Sequence, residues 1–219
     1  MAIRNIPRCA EKALRDIVTA ENRWHGWSSD ALPVANSLVN LILQQYSAQQ
    51  PSVWHPSLTF MFPDLPAKYE EANVDISKQT LAKLCEIVGK MSVQCANIKA
   101  AVKELSSLSQ QAEDSRGSAE PKLLYFTLKQ YAELAHGAYK LYESATAMRV
   151  EYVSDLGAIV RGLAGESATF PPDAFDSDKH FVKLLNWESS PGLKDGRLEI
   201  SDHPIILTLQ DFDELIRSE

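Results

Sequence analysis

Between Leu81 and Leu105 the apolar positions step by three and four residues, through Leu84, Val88, Met91, Cys95, Ile98 and Val102. That spacing keeps one stripe of a helix turned toward a neighbouring helix. It predicts a central helix over about 76–112, with Lys83, Glu86, Lys90, Lys99, Lys103 and Glu104 on its solvated face. A third helical region, about 121–160, continues the spacing through Leu124, Leu128, Tyr131, Ala135, Ala138, Tyr142, Ala145, Met148, Tyr152, Leu156 and Ile159. The seam of the central helix is therefore expected to pair inside this chain rather than with a second copy. A first region, about 7–48, carries Ala10, Leu14, Ile17, Trp24, Trp27, Ala31, Val34, Leu38, Leu41 and Leu43 mostly at helical intervals. Gly26, Ser28, Ser29, Asp30 and Pro33 interrupt it, and predict a kink or a short break.

Proline placement supports this parsing, because proline inside a helix removes a hydrogen bond and clashes with the turn before it. None of the 11 prolines falls between Ala67 and Glu120 or between Lys122 and Phe170. Residues 49–66 hold four prolines among Val53, Trp54, Leu58, Phe60, Met61 and Phe62. Such a segment cannot be one helix and is too apolar for a solvated linker, so it either seals the end of a bundle or offers aromatic anchors to a partner. After Gly162, glycines and prolines punctuate an acidic stretch with two apolar islands, Phe181 to Trp187 and Ile205 to Ile216. The expected organisation is an all-α bundle of three to four long antiparallel helices over residues 1–161, with an acidic, mostly irregular tail over 162–219. Within that tail, Thr208 to Ile216 fits a short amphipathic helix.

Charge sharpens the picture only in the tail. Residues 1–161 balance 17 basic against 17 acidic side chains, whereas 162–219 hold 5 against 12. No basic footprint for a nucleic-acid backbone is expected from that balance. Cys9, Cys85 and Cys95 form an odd set without a CxxC pair and read as reduced core residues of an intracellular protein. Arg4, Arg8, Lys12 and Arg15 faintly suggest a presequence, but Glu11 and Asp16 interrupt them, so no targeting leader is expected. No stretch is apolar for the roughly 20 residues that a membrane-spanning helix needs.

Catalytic chemistry finds little support. His25, His55, His136, His180 and His203 are scattered, and no nucleophile elbow, zinc helix, phosphate loop or dinucleotide glycine run is present. Glu133 and His136 make one ExxH pair, whereas a di-iron bundle needs two such pairs and two more glutamates. The chain is accordingly expected to be no enzyme, with no cofactor and no metal.

Trp24, Asp30, Pro33, Leu38, Asn40 and Leu41 fall in an order that resembles the first helix of the AIRIM family of ribosome maturation factors. Phe62-Pro63-Asp64-Leu65 resembles that family's loop signature before the long central helix, and the Tyr-rich helix from Tyr131 to Tyr152 completes the order. The likeness covers about residues 20–160. It implies a non-catalytic adaptor of an AAA+ ATPase complex, acting with a CINP-like helical protein on late precursors of the large ribosomal subunit, in the nucleus, its nucleolus and the cytoplasm. Trp24, Trp27, Trp54, Phe60, Phe62, Pro63, Asp64 and Leu65 are the expected partner-binding residues. A CINP-like subunit of the same complex is the nearest alternative, and a generic coiled-coil tether the next. Neither direct membrane contact nor strong direct nucleic-acid binding is expected.

Overall fold

Pro33 does not break the first helix. In the computed structural model, which describes residues 6–114, 122–123, 126–165, 187, 193–194 and 197–198, helix α1 runs unbroken over Ile6–Ala48. Pro33 lies on the exposed face, while Ala31, Ala35, Leu38 and Ile42 of the same stretch are buried. Packing on that buried face outweighs the single backbone bond that the proline forgoes. The short break expected at Gly26 to Pro33 is thus absent.

A short helix α2 (Pro56–Met61) follows, and then α3 (Leu65–Asp114), which begins well before the expected position 76. Pro66 belongs to its first turn, where a missing N–H costs nothing. The Asp64 carbonyl accepts the Lys68 N–H at 3.0 Å and opens the helical ladder. Helix α4 (Leu128–Leu163) begins later than the expected 121. A reciprocal cap places its start: the Thr127 N–H donates to Gln130 Oε1 (2.9 Å), and the Gln130 N–H donates to Thr127 Oγ1 (3.3 Å). Just before it, β1 (Lys122–Leu123) pairs antiparallel with β2 (Phe126–Thr127). In the tail, β3 (Leu193–Lys194) pairs antiparallel with β4 (Arg197–Leu198). The architecture is all-α: three long helices and one short one carry the described residues, and these two-residue pairings add no sheet layer. The expected amphipathic segment Thr208 to Ile216 lies outside the described residues.

The chain divides into two compact units. The first comprises Met1–Trp27, Lys90–Ala147 and Ser189–Glu219. Its core joins Leu14, Ile17 and Trp24 of α1 to Met91, Ile98 and Leu105 of α3 and to Leu128, Tyr142 and several small residues of α4. The alanines let the helix backbones approach, and the tyrosines fill the gaps. Contacts between Glu21 and Tyr142 and between Trp24 and Thr146 show α1 and α4 running parallel here. Lys99 with Glu143 and Lys129 with Glu113 show α3 running antiparallel to α4. The second unit comprises Ser28–Gly89 and Met148–Glu188. Leu38, Ile42, Leu84, Val88, Leu156 and Val160 form its apolar centre, and Asn73 Nδ2 donates to the Leu41 carbonyl (3.1 Å) and to Gln45 Oε1 (3.0 Å).

A polar group marks one edge of the first unit. The Tyr142 hydroxyl donates to Glu21 Oε1 at 2.5 Å and lies 2.8 Å from His25 Nε2. Burial, reinforced by the Glu21 carboxylate, holds the Tyr142 phenol well above its ordinary 10.0. A phenol raised on folding favours the protonated native state, so its contribution is complete below pH 10 and is lost as pH rises beyond that value. Stability measured by urea titration is expected to fall above pH 10. In Tyr142→Phe that alkaline fall should be shallower, while stability at pH 7 drops by about 1–2 kcal/mol through the lost hydroxyl bonds. An unchanged alkaline slope in the variant would contradict this assignment.

Candidate functional site

The most unusual surface lies between α1 and α3, in the second unit. Trp54 anchors it: its indole Nε1 donates to the Ala48 carbonyl (2.7 Å), one of the α1 C-terminal acceptors that the helix itself leaves without a partner. The same ring meets Tyr69 of α3 edge-on, with centroids 5.6 Å apart. Between these fixed points the chain has little freedom. His55, in extended backbone, caps α2 by accepting the Ser57 N–H on Nδ1 (3.2 Å), and Pro56 takes the first turn. At the far end the Phe62 N–H returns to the Leu58 carbonyl (2.8 Å), and the Leu65 N–H bonds the Phe62 carbonyl (3.0 Å) as α3 begins.

Anchoring α2 in this way leaves its apolar side chains outside. Phe60 is 88% exposed, Met61 67% and Phe62 55%, with Val53 and Leu58 also exposed; no residue of α2 is buried. Isolated apolar residues on a surface are ordinary, but several large ones in sequence on one short helix are not. Exposed aromatic and methionine side chains of this kind serve as interface anchors.

The expected partner-binding residues separate into three groups. Phe60, Phe62, Pro63 and Asp64 are exposed on the ridge. Trp54 and Leu65 are half-buried at its base, where they position it. Trp24 stands apart: at 1% exposure it sits in the core of the first unit, donating from Nε1 to Thr146 Oγ1 (2.9 Å), and offers no face to a partner. Trp27, of the same unit, is half-buried with the Lys90 ammonium 4.6 Å above its ring. Met61 and Leu58 join the ridge although they were not among the expected anchors; their signal is the apolar run itself.

The cysteines differ from the expected uniform core set. Cys95 is buried, and burial pushes its thiol up despite the hydrogen bond with Thr146. Cys9 is half-buried, and Cys85, one position past the buried Leu84, turns to solvent. Glu133 and His136 line an open cleft of about 400 Å³ in the first unit, together with Glu113 and Lys129, which pair at 3.3 Å. Among the described residues no three His, Cys, Asp or Glu side chains converge on a common point suited to a metal, and no helix is long and apolar enough to cross a membrane. No protein-family model matches the sequence, and no curated protein matches it either.

Proposed function

We propose that this chain is a non-catalytic adaptor subunit of an AAA+ ATPase complex that acts in late maturation of the large ribosomal subunit, where shuttling factors are released for recycling. One observation carries the reading: Phe60, Met61 and Phe62 stand exposed in succession, and the last of them opens the Phe62-Pro63-Asp64-Leu65 stretch that resembles the AIRIM loop. An adaptor needs rigid helices and a presented anchor surface, and both features support the reading. The ATPase is the proposed direct partner, a CINP-like helical protein the second, and the ribosomal precursor is reached through them, in the nucleus and cytoplasm. A CINP-like subunit of the same complex would share the tryptophan-bearing first helix. The tether reading is weaker, because Leu84, Val88, Met91, Cys95, Ile98, Val102 and Leu105 are already buried within one chain and leave no stripe for a second copy.

Affinity capture from the protein's own cells tests the proposal. Wild type is expected to recover an AAA+ ATPase and large-subunit precursors. Phe60→Asp/Phe62→Asp should lower that recovery by at least about 30-fold, the loss typical of a central pair of interface anchors. Both side chains are exposed, so the variant should fold as the wild type does. A clean wild-type preparation lacking the ATPase and the precursors, or a chain that is a tight parallel homodimer, would overturn the adaptor reading.

A further inference from the structure

The acidic first turns of α3, which follow the ridge in the chain, indicate the chemistry of what covers it. Trp54 holds α2 beside the first turns of α3, and from Gln49 to Asp75 the chain carries Asp64, Glu70, Glu71 and Asp75 against Lys68 alone. Asp64, Glu71 and Asp75 are exposed and Glu70 is half-buried. We propose that the ridge docks a segment of another protein whose apolar face is flanked by lysine or arginine; the inference rests on the partner-binding reading above and names the partner's chemistry. Complementary rim charges steer encounter and fix register, whereas like charges brought together oppose association.

The alternatives carry the wrong sign. This chain's own apolar island, Ile205 to Ile216, lies in a stretch from Asp202 to Glu219 with five carboxylates and one arginine. A second copy would bring the same acidic turns against themselves. An anionic lipid surface would repel them as well. A basic-flanked apolar segment satisfies both the exposed aromatics and the carboxylates that follow them at the start of α3.

Two synthetic helical peptides with one shared Leu/Phe face, one bearing lysine and the other glutamate on the polar face, test this against the full chain by fluorescence anisotropy. The lysine peptide is expected to bind at least about tenfold tighter, and to weaken as salt is raised. Glu70→Lys/Glu71→Lys should erase most of that preference. Phe60→Asp/Phe62→Asp should weaken the lysine peptide by at least about tenfold although it makes the protein more acidic, which mere charge attraction would not do. Equal binding of the two peptides, indifference to the α2 pair, tighter binding of a peptide spanning residues 203–219, or Phe60-dependent pelleting with phosphatidylserine vesicles would each overturn the inference. If the peptide results hold while captured complexes contain no AAA+ ATPase, the adaptor assignment fails and this inference stands. If capture of the ATPase depends on α2 but not on the acidic turns, the inference fails and the assignment stands.

Discussion

Trp24→Ala is expected to lower stability by about 3–5 kcal/mol, the range for truncating a buried aromatic side chain. The indole is 1% exposed and meets the Tyr142 ring edge-on at 5.1 Å. Its N–H also satisfies the Thr146 hydroxyl, which in turn donates to the Tyr142 carbonyl at 2.7 Å. Alanine therefore opens a cavity and removes the donor that Thr146 Oγ1 accepts. Trp24→Phe separates the two effects: it keeps most of the packing and loses the hydrogen bond, and about 1–2 kcal/mol is expected. Urea unfolding at constant m-value gives both numbers. The same pair of variants decides whether Trp24 acts as an anchor or as core. A Trp24→Ala protein as stable as wild type that nevertheless lost its partner would place the indole at the interface and contradict its burial.

Helix identity was legible in the sequence because the seam is apolar throughout from Leu81 to Leu105. Of the seam positions from Leu81 to Leu105, only Leu81 is not buried, and the Tyr- and Ala-rich stripe of α4 is buried as its spacing requires from Leu128 to Ile159 except at Met148. Helix limits were less legible, for specific reasons. Upstream of Leu81 the seam continues through Ser77 and Asn73, which are buried but polar, so the apolar periodicity stops before the helix does. Pro66 reads as a breaker until it is placed in a first turn. At α4 the Thr127 and Gln130 box was available as a start signal, but Pro121 was the more conspicuous mark.

Site residues follow a similar logic. The α2 ridge could be suspected from composition alone, because Leu58, Phe60, Met61 and Phe62 crowd into a proline-bounded segment. Trp24 could not be assigned, since its spacing from Ile17 suits a core stripe while its partner Thr146 lies 122 residues away. In α4 the stripe passes through Arg149 rather than Met148: the arginine is 3% exposed, and the methionine is turned outward. A charged residue at a core position is misread by any apolar pattern, and the residue beside it takes its place.

What covers Arg149 sets the second large effect. Trp187 is 5% exposed in the second unit; its carbonyl accepts from Arg149 Nη2 at 2.8 Å, and its ring lies 5.1 Å from the guanidinium carbon. The ring also meets Tyr152 edge-on at 6.1 Å. Burial pulls the Arg149 guanidinium from its ordinary 12.5 down to about 10. Trp187→Ala should therefore set two opposing changes against each other. Lost packing costs about 3–5 kcal/mol, while water regained by the guanidinium returns part of a desolvation penalty of about 3 kcal/mol. With the lost attraction between cation and ring included, the expected net loss is about 3 kcal/mol, at the low end of the range for Trp24. In an Arg149→Met background no buried charge remains to be hydrated, and the attraction of the cation to the ring, about 1–2 kcal/mol, is gone as well. Because the desolvation is the larger of those two contributions, Trp187→Ala should cost about 1 kcal/mol more in that background than in wild type. Urea titration of the four proteins of this cycle measures the difference. A smaller cost in the Arg149→Met background would mean that ring attraction, not exclusion of water, governs the contact.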